Sequence, residues 1–142
     1  MASMLGTAIS IAASGHRNQV DKGGNAYILH PIRMMMRLRT DDDELMAIAI
    51  LHDCKEDCGI TDDMLREAGM TERVIDGVDA LTKRDGESYD AFIKRCALNP
   101  DARLVKREDL RDNSDITRLK GLRQKDFERL EKYSRAFVYL SD

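Results

Sequence analysis

The seven residues "LHDCKED" at positions 51–57 set a histidine, three carboxylates and a thiol directly after the apolar run Leu45-Met46-Ala47-Ile48-Ala49-Ile50-Leu51. Imidazole and carboxylate at this density suit two kinds of chemistry: ligation of a divalent cation, and proton transfer to or from a reacting group. Read as one helix over residues 44–56, the stretch carries Leu45, Ile48, Ala49, His52 and Glu56 on one face, and Asp53 stacks with Asp57 at i and i+4. A lone histidine on an apolar face is also what a satisfied core residue looks like. Acids at the negative end of a helix dipole are less easily explained, and something cationic should compensate them.

The helix expected after Asn99-Pro100 repeats the anomaly. Taken to residue 118, it gathers Leu98, Ala102, Val105, Asp109, Asp112, Ile116 and Leu119 within a sector of roughly 100°. Two carboxylates then sit in an inward stripe. Burying them ionised demands a cation, either a metal or an arginine, and Arg107 and Arg111 are the structural candidates. Lys106 and Asn113 border the stripe beside Asp109 as a ligand-facing edge. His30, directly before Pro31, offers a third ligand position. Two imidazoles and two carboxylates fit Mn²⁺, Fe²⁺, Zn²⁺ or Mg²⁺, with water completing the shell. Positions 30, 52, 53 and 109 are too widely spread for spacing alone to define a site.

The elements that must position these residues are helical. The 142 residues fit one domain, 1–142. Charged residues make up 35% and aromatics 5%, with no Trp and eight Met, so the core draws on Leu, Ile, Val, Ala and Met rather than on strand formers. A first helix is expected in "MASMLGTAISIAAS", then a glycine-broken loop, a short helix over 31–38 started by Pro31, and the helix over 44–56 headed by Asp41-Asp42-Asp43. Thr61, Thr71 and Ser88 are N-caps for three more, with Gly69 stopping the first of them, and residues 125–140 close the domain. An irregular all-α bundle follows.

A net charge of -3 gives no global attraction for nucleic acid or anionic lipid. Cys54, Cys58 and Cys96 are too few for a disulfide framework and match no zinc-finger spacing, so they are expected as reduced thiols in a cytoplasm. The N-terminus lacks the basic region of a signal peptide, and no apolar span is long enough for a membrane helix. The oligomeric state is left open.

The blocks "SGHRNQVDKGGNAYILHPI", "AIAILHDCKED", "DALTK" and "ARLVKREDLRDNSD" resemble, in order, the successive motifs of HD-domain hydrolases of the RelA/SpoT type, which remove the 3′-pyrophosphate from the alarmones ppGpp and pppGpp. The resemblance implies an HD-type helical bundle and, from the chain's length, a stand-alone small alarmone hydrolase. It implies a metal, typically Mn²⁺, held by His30, His52, Asp53 and Asp109. Glu56 and Asp57 match the acidic pair that orders and activates the attacking water. Lys22 and Tyr27 match loop positions near the substrate, Asn113 matches a nucleoside contact, and Lys106 and Arg111 join Lys22 as candidates to neutralise diphosphate charge. His16 and Gln19 match recurrent loop residues of structural role.

Two departures bear on the substrate. Asp21 precedes Lys22 where the family carries a basic residue, with Arg17 nearby to compensate, and Asp115 and Ile116 stand where a basic residue and a threonine are usual. The alternatives are an HD phosphohydrolase acting on NADPH or a nucleoside monophosphate, and a nucleotide-binding HD module without turnover.

Overall fold

The computed structural model describes residues 3–142 as nine α-helices with no strand among the described residues. They are α1 (Met4–Gly15), α2 (Leu29–Arg37), α3 (Asp43–Leu51), α4 (Cys54–Asp57), α5 (Asp62–Glu67), α6 (Glu72–Ala80), α7 (Tyr89–Leu98), α8 (Pro100–Asn113) and α9 (Gln124–Leu140). Met1 and Ala2, placed by the sequence at the head of the first helix, lie outside the described residues.

α3 is the axle of the bundle. It is apolar all round, which is the pattern of a helix with no solvent face, and Ala47, Ile48, Ala49, Ile50 and Leu51 are all fully buried. α1, α2, α6 and α8 pack around it. α6 approaches so closely that a Cβ on Gly77 would lie 2.5 Å from Ile48 Cδ1, so any larger residue there would force Ile48 to shift. Each large side chain buried on α3 contributes on the order of 1.5–3 kcal/mol.

The N-caps act as the sequence predicts. Asp42 accepts from the Glu44 and Leu45 amides, Thr61 from Met64, Thr71 from Val74, Ser88 from Ala91, and Asn99 from Asp101 and Ala102. The Arg73 guanidinium ties three helix starts together by reaching Asp42, Glu44 and Asp101.

Two helices end earlier than the sequence predicts. The helix expected over 44–56 breaks after Leu51: His52 Nδ1 donates to the Ala49 carbonyl at 2.9 Å, and the His52 amide reaches the same oxygen at 3.5 Å. The chain turns through Asp53, and α4 starts afresh. The helix expected to run to residue 118 stops at Asn113, because Asp115 accepts from the Thr117 amide and draws residues 116–118 into a separate 3₁₀ turn. Ile116 consequently stands exposed instead of facing the core.

Candidate metal centre

The break after α3 brings His52 and Asp53 to one point. On a continuous helix they would diverge by about 100°, whereas here His52 Nε2 lies 3.1 Å from Asp53 Oδ2. α8 delivers Asp109 from the opposite side, 3.6 Å from His52 Nε2, and α2 delivers His30, whose Nε2 lies 2.9 Å from Asp109 Oδ1. His30, His52 and Asp109 are all buried, and each offers a ligand atom within 4.8 Å of the others. Asp53 completes the predicted set at the rim, where one of its oxygens accepts from the Tyr27 hydroxyl.

The hydrogen bonds fix the faces of both imidazoles. A carbonyl can only accept, so His52 Nδ1 carries its hydrogen toward Ala49; Asp112 accepts from His30 Nδ1 at 2.6 Å. The neutral rings therefore turn the lone pairs of both Nε2 atoms toward carboxylates, and His52 Nε2, fully buried, makes no hydrogen bond among the described residues. Lone pairs aimed at anions require positive charge between them, which can enter as a proton or as a metal ion. The carboxylates accordingly raise the pKa of His30, and that of His52 strongly, against burial that alone would lower them. Burial would raise Asp109, yet the Lys106 ammonium and the two imidazoles hold it well below the carboxylate range. Asp53, opposed by burial but drawn down by His52, falls to about 2. Two imidazole nitrogens and the ionised Asp109 carboxylate at one buried point, with the Asp53 carboxylate at its rim, fit a divalent ion.

Of the two arginines offered as partners for the inward carboxylates, neither serves: Arg107 and Arg111 both lie over the Phe137 ring. Asp112, completely buried, is met by Arg33, Arg37 and Arg118, and Asp109 by Lys106 at 2.6 Å. This corrects the expected role of Lys106 near diphosphate, since its charge is already engaged by the Asp109 carboxylate. Arg111, two positions from Asp109 on α8, projects from the opposite flank and pairs with Glu108.

The other substrate candidates border a cleft of about 330 Å³ lined by Lys22, Tyr27, His30 and Asn113, together with Asp21, Arg118, Arg129 and Tyr133. Asn113 Nδ2 donates to Asp109 Oδ1 at 2.9 Å. Burial lowers the Lys22 pKa, and the nearby Arg129 and Lys132 lower it further. The acid before Lys22 is compensated by Arg118, 2.9 Å from Asp21, and not by Arg17, which borders a different surface hollow beside Ser14. Glu56 and Asp57 lie on α4, exposed, one turn beyond Asp53: Glu56 Oε1 accepts from the Lys83 amide at 2.8 Å and Asp57 from Gln19 at 3.1 Å.

Sequence reasoning missed the residues that orient these groups. Asp112 was visible as an inward acid but not as the partner of His30. Its arginines were legible in "HPIRMMMR", where Arg33 and Arg37 follow His30 at i+3 and i+7 on one helix face. Arg129 and Tyr133, at i and i+4 on α9, carried no such signal.

No family model matches the chain. It is 32% identical over 116 residues to the guanosine-3′,5′-bis(diphosphate) 3′-pyrophosphohydrolase of Aquifex aeolicus, which covers 75% of this chain and 16% of that protein. It is 36% identical over 78 residues to the protein of the same name from Vibrio cholerae, covering 53% and 11%. The chain thus spans less than a fifth of the length of these curated relatives. The solved structure of a metazoan orthologue of SpoT that hydrolyses ppGpp superimposes with a TM-score of 0.82 at 20% identity, over 99% of this chain and 86% of that one. In sequence the chain is similar to one stretch of these bacterial proteins, and it shares the all-α fold of the metazoan SpoT orthologue.

Proposed function

We propose that the chain is a metal-dependent hydrolase of the cytoplasm that removes the 3′-pyrophosphate of ppGpp and pppGpp, releasing GDP or GTP and pyrophosphate, with Mn²⁺ as its ion. The observation that carries this is the unpartnered Nε2 of buried His52, aimed at Asp53 and Asp109 beside a cleft bordered by Lys22 and Arg129. The activity named for the bacterial relatives, and the ppGpp hydrolysis reported for the metazoan protein of like fold, support the same substrate.

His30, His52, Asp53 and Asp109 hold the ion, which when bound supplies Lewis-acid polarisation of a phosphoryl oxygen. Asp112 and the Ala49 carbonyl hold the two imidazoles in the tautomers that present Nε2. The Tyr27 hydroxyl steadies Asp53. Glu56 is anchored at Oε1 by a backbone amide, which leaves Oε2 to take the proton of the attacking water, and Asp57, held by Gln19, orders that water. Lys22 and Arg129 meet phosphate charge, and Asn113 faces the nucleoside.

Chelator-treated protein reloaded with Mn²⁺ is incubated separately with ppGpp, NADPH and dAMP, and the products are resolved by chromatography. GDP and pyrophosphate from ppGpp alone is the expected result. Turnover of NADPH or dAMP alone would move the substrate to another nucleotide, and no turnover of any would leave a nucleotide-binding module without catalysis.

A further inference from the structure

Next to the HD residues, with the Tyr27 ring packed against both His16 and His30, lies a second cluster, His16, Cys54 and Cys58, whose ligand atoms also lie within 4.8 Å of one another. His16 and Cys54 are buried and Cys58 is half-buried. Cys54 Sγ and Cys58 Sγ each stand 3.8 Å from His16 Nε2. One zinc ion bound tetrahedrally to an imidazole at about 2.0–2.1 Å and to thiolates at about 2.3 Å separates nitrogen from sulfur by about 3.6 Å. The observed spacing is close to that of atoms sharing one ion.

The outer hydrogen bonds point the same way. His16 Nδ1 donates to Gln19 Oε1 at 2.8 Å, so in the neutral ring Nε2 is the nitrogen left with a lone pair to offer. Gln19 Nε2 in turn donates to Asp57. A ring nitrogen engaged by an oxygen acceptor while the other faces the donor set is how metal-bound histidines are held. Gly15 makes the approach possible, since a Cβ there would lie 2.5 Å from Cys58 Sγ. Cys58 Sγ, at 3.6 Å from Nδ1 as well, stands beside the ring and would shift toward Nε2 to complete the set.

We infer that His16, Cys54 and Cys58 form a second metal site, which takes a thiophilic divalent ion such as Zn²⁺ through one nitrogen and two sulfurs, releases the two thiol protons to solvent, and leaves the fourth position to water. Its donors are soft where those around His52 are hard, so the two sites select different ions. The ion braces the end of α1 against α4, and through Gln19 it reaches Asp57. The site does not depend on what the HD centre hydrolyses.

Cobalt(II) reports the site directly, because only sulfur ligation gives an intense near-ultraviolet sulfur-to-cobalt charge-transfer band. Reduced, chelator-treated full-length protein titrated with Co²⁺ is expected to develop the band, Zn²⁺ to bleach it, and Asp109→Ala, which alters only the HD centre, to keep it. Cys58→Ala should lose at least 90% of the band. As Cys58 is half-buried this variant is expected to fold, which far-ultraviolet circular dichroism checks, and His16→Gln provides a second loss. Absence of the band in the unaltered protein, or its survival in folded Cys58→Ala, overturns the assignment.

Discussion

The two histidine clusters adjoin one another at the turn into α4, yet they are built in opposite ways. His30, His52 and Asp109 arrive from α2, the end of α3 and α8, and surround themselves with charge: Lys106 on Asp109, and three arginines on Asp112 behind His30. His16, Cys54 and Cys58 come from one helix end and one turn of α4, and their outer contact is an uncharged glutamine. Oxygen donors that stay ionised when buried need compensation at every lone pair, whereas thiols can be buried neutral and ionise only when a metal arrives. Burial holds the Cys54 pKa far above its ordinary value and raises that of Cys58. The first centre is therefore assembled by the fold and poised for a cation. The second is quiet until one binds.

The most severe way to break the HD centre alone is Asp109→Ala. It removes a ligand and strands the Lys106 ammonium in the interior, which is expected to cost about 3–5 kcal/mol of stability by breaking a buried pair. In the unaltered protein, Mn²⁺ at about 100 times its Kd should add about 2.7 kcal/mol, seen as a rise in Tm. The variant should show no such rise and no turnover while keeping the cobalt band. A Tm that still climbs with Mn²⁺ would show that Asp109 serves only Lys106.

Glu56→Gln separates chemistry from ligation. The Gln oxygen can keep the Lys83 amide bond, and the lost carboxylate should lower turnover of ppGpp at least about 100-fold, within the range of general base catalysis. The Mn²⁺-induced Tm rise should be unchanged. Near-normal turnover would transfer the role to Asp57.

Asp112→Asn tests the charged surround that the thiol cluster lacks. An amide can present its NH₂ to His30 Nδ1 and turn the ring from its tautomer, so Mn²⁺ affinity is expected to fall about 10- to 100-fold, as for other outer partners of metal-bound histidines. Calorimetric titration of the chelator-treated variant measures it, and an unchanged Kd would reduce Asp112 to a structural anchor for Arg33, Arg37 and Arg118.

What the sequence revealed divides along the same line. The capped starts of α3, α5, α6, α7 and α8 were legible because each is a local rule, a side chain one turn from the amide that it receives. Asp109 was legible because a carboxylate on an apolar stripe conflicts with burial. The break at His52 was not, since helical-wheel arithmetic continues any pattern, and only a side-chain bond back to Ala49 interrupts it. The stop at Asn113 had a visible cause in "NSD", three residues that bond their own backbone in turns. Two of the three arginines of Asp112 lie 79 and 75 positions away on α2, a pairing set by tertiary packing. The thiols were legible as reduced cysteines, and their convergence on His16 depends on how α1 ends.

Acidity distinguishes the clusters next. His30 and His52 have folded-state pKa values raised above the unfolded value near 6.5. Without metal, their contribution to stability is complete below about pH 6.5 and is lost as pH rises through the raised values. Mn²⁺ needs the neutral rings, so its stabilising effect should grow over that same rise. Melting curves with chelator and with Mn²⁺ should therefore draw apart above about pH 6.5, and curves that stay parallel would remove the histidines from the ion.

The smallest effect concerns two glycines. Gly15→Ala drives a methyl group to 2.5 Å from Cys58 Sγ, and Gly77→Ala drives one to 2.5 Å from Ile48 Cδ1 in the core. Overpacking of either kind is expected to cost about 1–3 kcal/mol, so thermal melts alone would not tell them apart. Metal binding does: Cys58 must shift to relieve the first clash, which should disturb its approach to His16 and weaken the cobalt band, while Gly77→Ala should leave the band at full strength. Mn²⁺ binding at the HD centre should survive in both, because neither glycine touches His30, His52, Asp53 or Asp109. Equal loss of the band in the two variants would trace it to general loosening of the bundle and not to the packing of Gly15 against Cys58.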